Sequence, residues 1–409
     1  MSKDNNKKTP KVRFPGFTDD WEEHKLGEVC DFINGDRSSN YPSNADFQDS
    51  GIPFVGSDSL GATFVNKNKL RFISCEKYKQ MKGLKIQDKD ILYTLRGAGF
   101  GKCSISDFFD GTVASSLVGI RCNEEELEPY FFVQWLNSAN AGSEKKKAVN
   151  GSTAQNISVN DMKKYMIYLP LQDEQQKVGA YFRNLDHLIT LHQRKLEKLK
   201  EYKKGMLQKI FPKSGEKVPE VRFPGFTDDW EQRKYAEVIE LLSGQDFNPE
   251  EYNEDGIGIP YLTGASCIEN GCTTAVRWTE KPRCIAEKGD TVLVCKGSGY
   301  GTIATVNQEK AHIARQFMAL KVKKHALDNR FNYFLLNSVV ENIKTDARGL
   351  IAGIARDAVL KQEIVIPCLN EQAKIGEYFE NLDQLITLHK RKLEMLKEFK
   401  KGCLQQMFV

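Results

Sequence analysis

The sequence predicts an α+β chain in which two pseudo-symmetric globular domains are joined by two long antiparallel helices that form a coiled coil. Three observations carry this. Val12 to Glu22 reads VRFPGFTDDWE, and the same eleven letters return from Val221 to Glu231, 209 positions later. Glu174 to Phe211 and Glu371 to Phe408 match at 27 of 38 positions, at an offset of 197. Between these near-copies lie two diverged regions with strand, glycine-loop and aromatic-helix signatures in the same order.

Each element follows from its residues. The first long segment places Val178, Phe182, Leu185, Leu188 or Ile189, Leu196 and Leu199 on one stripe at steps of three and four. Its copy does the same with Phe379, Leu382, Ile386, Leu393 and Leu396. An acidic start at Asp173-Glu174 and a stop at Pro212 bound the first helix. Such a helix is about 57 Å long, more than one small domain buries, so each stripe needs the other. A two-fold pseudo-repeat pairs like with like when the helices run antiparallel. His192 and His389 interrupt the stripes near their centres. A polar residue that fixes register explains them better than a metal site, because no carboxylate completes a ligand set.

The globular regions are mixed. Asp90 to Leu95 and Asp290 to Cys295 read as short strands, each running into a glycine loop. Tyr130 to Ser138 and Phe331 to Ser338 read as buried aromatic helices. The resulting division is an N-terminal arm and first domain over 1–171, a helix over 172–211, a linker with the repeated lead-in motif over 212–231, a second domain over 232–367, and a helix over 368–409.

Composition narrows the function. There are 59 Lys and Arg against 55 Asp and Glu, a formal charge of +4, so any basic surface must come from local placement. No run of about 18 apolar residues exists, and the polar N-terminus lacks a signal-peptide core, so a cytoplasmic protein with no membrane contact is expected. The ten cysteines form no zinc-type spacing and read as free thiols. Neither glycine loop fits a dinucleotide or Walker pattern: Lys102 follows Gly101 directly, and Cys103 stands where a hydroxyl is needed. No Pro-Pro, Pro-Asp or His-Glu-x-x-His sequence occurs, so neither an amino-methyltransferase, a nuclease core nor a zinc protease is encoded. The chain reads as non-catalytic, with no catalytic residue and no metal ligand.

Candidate DNA contacts lie in loops. Arg96, Lys102 and Lys296 flank the glycine turns, where backbone can approach a phosphate. Ser152 and Gln155 follow a lysine run, Arg315 and Gln316 follow a strand, and Arg348 lies in a polar stretch. Arg pairs with guanine, and Gln or Asn with adenine. Taken alone, each of these residues reads more readily as a solvated loop residue.

The lead-in motif VRFPGFTDDWE, the helix ending LKEYKKGMLQKIF, its copy LKEFKKGCLQQMF and the two-fold layout together resemble the specificity subunit of Type I restriction-modification systems. The resemblance spans essentially the whole chain. It implies that the diverged regions are target recognition domains, each reading one half of a bipartite, asymmetric site on double-stranded DNA. It implies that the repeated helices dock two modification (methyltransferase) subunits, which restriction subunits then join. S-adenosylmethionine, ATP and Mg would belong to those partners, with no cofactor bound by this chain. The rival reading from the residues is a non-catalytic protein–protein adaptor built on a coiled coil.

Overall fold

The computed structural model describes residues 9–149, 156–213, 215–297, 299–345 and 353–409. The chain divides into two units. The first comprises residues 1–192 and 392–409, and the second comprises residues 193–391.

In chain order the first unit contains β1 (Glu22–Lys25), β2 (Cys30–Asn34), β3 (Ile91–Thr94), β4 (Cys103–Ile105), β5 (Leu117–Cys122), α1 (Pro129–Leu136), α2 (Ala139–Ala148), β6 (Met166–Leu169) and the start of α3 (Gln172–Ile210). The second contains the end of α3, then β7 (Glu231–Lys234), β8 (Ile239–Ser243), β9 (Thr291–Val294), β10 (Ile303–Thr305), β11 (Phe317–Val322), α4 (Asn329–Thr345), β12 (Glu363–Ile366) and most of α5 (Leu369–Gln406).

The two units repeat one topology. The first has an antiparallel sheet in the order β2-β5-β3-β4, and the second has β8-β11-β9-β10. Two further strands, Cys272–Thr273 and Ile268–Glu269, extend the second sheet to six. Each unit also carries a smaller four-stranded sheet. The strands β3 and β9 are buried along their whole length, because neighbours pair on both sides and helix and sheet cover both faces. A separate two-stranded ribbon ties the lead-in to the helix start: β1 with β6, Glu22 opposite Leu169, and β7 with β12, Glu231 opposite Ile366.

The aromatic helix begins for a local reason. Pro129 fits the first turn, and the Glu128 carboxylate accepts the Phe131 N–H at 2.6 Å. Phe131, Phe132 and Trp135 then fill the core. The second copy is longer than its sequence suggests. In α4 the Ser338 hydroxyl bonds back to the Leu335 carbonyl, and the helix continues to Thr345. In the first unit Ser138 instead caps a new helix, α2, and the run breaks there.

The lead-in motif has a structural purpose. Arg13 donates from Nε and Nη2 to the Glu174 carboxylate, both at 2.7 Å. Arg222 repeats this on Glu371 at 2.8 Å. The fork geometry and the near-complete burial of both carboxylates make these specific anchors. Phe14 meets the edge of Tyr181, as Phe223 meets Tyr378. Buried Trp21 packs on Phe131 and Phe408, and buried Trp230 packs on Phe331 and Phe211.

Within each unit the two helix segments run antiparallel. In the first, Tyr181 meets Cys403 and Asp186 meets Lys400. In the second, Lys203 meets Asp383 and Phe211 stacks near Phe379. Rising numbers on α3 face falling numbers on α5.

Candidate nucleic-acid interface

The glycine loops are the hairpin turns of β3–β4 and β9–β10. Gly97 and Gly101 take φ of +86° and +80°, and Gly297 and Gly301 take +90° and +88°. This is left-handed backbone that favours glycine. In the first unit the Phe100 N–H donates to Gly97, and the Lys102 carbonyl accepts from Thr94. Lys102 is exposed on this hairpin. Arg96 is exposed beside it, donates from Nη2 to the Ser115 carbonyl at 3.1 Å, and pairs through its backbone with Asn156. Lys296 occupies the same place and pairs with Gly353. Ser152, Gln155 and Arg348 lie outside the described residues.

Next to each hairpin sits a β-turn. The Leu117 N–H bonds to the Ala114 carbonyl at 2.9 Å, and the Phe317 N–H bonds to the Ala314 carbonyl at 2.8 Å. The central residues are Ser115-Ser116 in one unit and Arg315-Gln316 in the other. The strand ends bond to these turns, Leu95 to Ser116 and Cys295 to Gln316. The fold therefore brings Arg96 to the Ser115 turn and Lys296 to the Arg315-Gln316 turn.

Two lysines complete the picture. Lys145 lies 5.6 Å over the Phe100 ring and Lys344 lies 5.6 Å over the Tyr300 ring. Each brings a helix cation to the aromatic of a glycine loop. The lysine run at 145–147 hinted at the first, but nothing local distinguishes Lys344. The segment after the first sheet strand also differs. Asp36 turns inward and accepts the Ser38 and Lys82 N–H groups. Burial alone would raise its pKa, but these donors outweigh burial and hold it below the usual carboxylate range. In the second unit the corresponding stretch sends Asp246 outward to Arg315.

A family model described as the Type I restriction modification DNA specificity domain matches residues 18–201 and again 227–398. The chain belongs to that family. A Methanocaldococcus jannaschii chain, provisionally assigned as the type I restriction enzyme MjaX specificity subunit, is 25% identical over 418 residues, covering 97% of this chain and 94% of its own. The type I restriction enzyme MjaVIII specificity subunit of the same organism is 22% identical, covering 94% of this chain and 91% of its own. The crystal structure of a type I restriction-modification S subunit from M. genitalium superposes with a TM-score of 0.68 at 16% identity, covering 98% and 99%. That last likeness shows a shared fold. Among the described residues, no helix is long and apolar enough to cross a membrane.

In this specificity chain the helices form the constant part. Phe182, Leu185, Leu196, Phe379, Leu382 and Leu393 are buried, and Ile189, His192, Leu199, Ile386, His389 and Leu396 are half-buried. Asp186 accepts Lys400 at 2.6 Å, Thr63 at 2.7 Å and Gln134 at 2.9 Å, and both members of the ion pair are nearly sealed, at 6% and 11% exposure. The repeated pair, Asp383 with Lys203, is more open at 36% and 19%. A cavity of about 680 Å³ lies beside it, lined by Cys272, Tyr333, Phe334 and Asp383 among others. Burial, with Asp383 and Cys272 nearby, pushes the Tyr333 hydroxyl up to about 12. Leu188, Leu191, Met395 and Phe399 remain exposed on the first unit's helices, as do Tyr202, Leu385 and Leu388 on the second's.

Proposed function

We propose that this chain reads a bipartite, asymmetric site on double-stranded DNA, one half per unit, and carries the modification subunits that act there. One observation carries the reading: two units share a topology and a near-identical scaffold, yet their equivalent surface turns differ, Ser115-Ser116 against Arg315-Gln316. A constant frame with a changed surface is what two recognition modules for two sequences require. The cations Arg96, Lys102, Lys145, Lys296 and Lys344 cluster around those turns, as phosphate contacts beside base contacts would.

The exposed leucines and aromatics of the helices offer an apolar face to a protein partner. Because the face recurs in both units, two copies of one partner fit, and these are the modification subunits. Restriction subunits join the complex through them. The chemistry and its S-adenosylmethionine, ATP and Mg belong to the partners; this chain supplies address and geometry in the cytoplasm.

The test is the methylated motif in DNA from cells carrying the modification partner, with and without this chain. The reading expects a split motif that depends on the chain. Replacing residues 24–170 with those of another family member should change one half of the motif only. No motif, with an active partner present, would favour the adaptor reading, in which binding depends little on salt. DNA binding by the assembled complex should instead weaken steeply with salt as counterions are released.

A further inference from the structure

We infer that Arg315, braced by Asp246, reads a guanine in the half-site taken by the second unit, and that Asp246 is its positioning residue. This rests on the reading of the chain as a two-part DNA reader. The Asp246 carboxylate grips the arginine twice. Oδ1 accepts the Arg315 backbone N–H at 3.0 Å, and Oδ2 forms an ion pair with Nε at 2.7 Å. A hydrogen bond and an ion pair from one carboxylate hold both the root and the stem of the side chain. The two terminal amino groups of the guanidinium are then presented as a fork, on a side chain 71% exposed. A fork of N–H donors matches guanine O6 and N7 and no other base edge as well.

An exposed ion pair is ordinarily worth little and wanders. This one is built on a fixed base. Gly244 passes so close to the Ala314 carbonyl that a Cβ there would sit 2.0 Å from it, so the approach requires glycine. The Gln245 N–H donates to the Ile313 carbonyl at 3.0 Å, and its own carbonyl accepts His312 Nε2 at 2.7 Å. His312 is fully buried, and its Nδ1 accepts the backbone N–H groups of Arg283 and Cys284, which settles Nε2 as the protonated nitrogen. Phe247 stacks 4.1 Å from the His312 ring on the other side of Asp246. Asp246 is therefore held between two anchored neighbours. The equivalent turn of the first unit has Ser115, and its Asp36 points inward, so that unit reads its half-site differently.

The experiment uses the chain assembled with its modification partner and compares methylated motifs for wild type, Arg315→Ala, Arg315→Lys and Asp246→Asn. The expected result is a motif with a guanine in the second unit's half-site. Arg315→Ala should relax that one position, with discrimination falling roughly 5- to 150-fold. Arg315→Lys keeps the charge, loses the fork, and should relax the same position. Asp246→Asn should weaken discrimination there while leaving the other half-site intact, which a general loss of fold would not do. Uniform weakening with an unchanged motif in Arg315→Ala would make Arg315 a phosphate contact and overturn the inference. So would a half-site without guanine. Exchange of residues 232–367 separates the two failures. If that exchange changes one half-site while Arg315→Ala changes none, the two-part reading stands and the arginine assignment falls. If neither changes the motif, the two-part reading has failed.

Discussion

The ion pairs Asp186–Lys400 and Asp383–Lys203 are the same pair twice, set by the same letters of the repeated helices. In the first unit Thr63 and Gln134 close over the aspartate, whereas in the second a cavity lies alongside it. The difference lies in what the diverged regions lay upon the helices. Position 134 is Gln in one unit, and Phe334 stands at its counterpart, under Lys203, in the other. One scaffold thus tolerates two quite different coverings, which lets the covered surface vary without refolding the frame.

The largest effects should come where the two units are alike. Phe408→Ala and Phe211→Ala each remove an aromatic from a Trp–Phe cluster, and each should cost about 3–5 kcal/mol. Urea unfolding checks this, and clearly unequal losses would break the equivalence of the two frames. Leu196→Asp and Leu393→Asp place a carboxylate in a buried stripe; each should lose stability on that scale and release the protein partner on a sizing column.

The next effect should separate the units. Asp186→Ala leaves Lys400 buried without its counter-ion, at about 3–5 kcal/mol. Asp383→Ala leaves a more exposed Lys203 and should cost about 1 kcal/mol. Equal losses by the same unfolding measurement would show that the covering does not matter.

A smaller difference concerns pH. Burial lowers the His312 pKa below its ordinary 6.5, and nearby Arg283 adds to this, while Gln245 and Asp246 oppose it. A depressed folded-state value means the neutral ring stabilises the fold above about pH 6.5, and that contribution is lost as pH falls through the folded value. The second unit should therefore lose protection in hydrogen exchange below that pH, and His312→Asn should flatten the response. Thr112 stands at this point of the first unit's sheet and does not titrate.

The smallest expected effect is none. The Val12 N–H bonds to the Gln406 carbonyl, and the Val221 N–H bonds to the Lys209 carbonyl, both at 3.0 Å. A circular permutant opened between Lys213 and Glu220, with the chain's ends joined by a short linker, should unfold at the wild-type midpoint and still bind DNA. Failure to fold would show that the matching bonds do not make the two junctions interchangeable.

Much of this was legible in the sequence because it repeats. The duplicated lead-in and helix announced the two-fold plan, and the stripe from Phe182 to Leu199 announced the helix. The aromatic helices and the glycine turns also announced themselves, since local residues set both. Other features depend on distant partners. Nothing near Arg13 points to Glu174, and the lid over Asp186 comes from Thr63, 123 residues away. The brace on Arg315 was hidden for the same reason: Asp246 is 69 residues upstream, and only the sheet brings it there. Leu188 and Ile189 were interchangeable on the stripe; packing chose Ile189 and left Leu188 outside.

The membership of residues 392–409 in the first unit has a consequence for synthesis. Lys400 and Phe408 belong to the core that residues 1–192 begin. A ribosome that has finished residue 192 must add 200 more, from 192 to 392, before that segment starts to emerge. At about 5–20 residues per second this takes roughly 10–40 s. Through that interval Trp21, Phe131 and Phe182 lack their last neighbour, Phe408, while the second unit, made of one unbroken stretch, is complete as soon as residue 391 has been added. The half of the protein that is translated first is therefore the half that finishes folding last, and a released chain ending at residue 391 should expose its first unit to proteases while protecting its second.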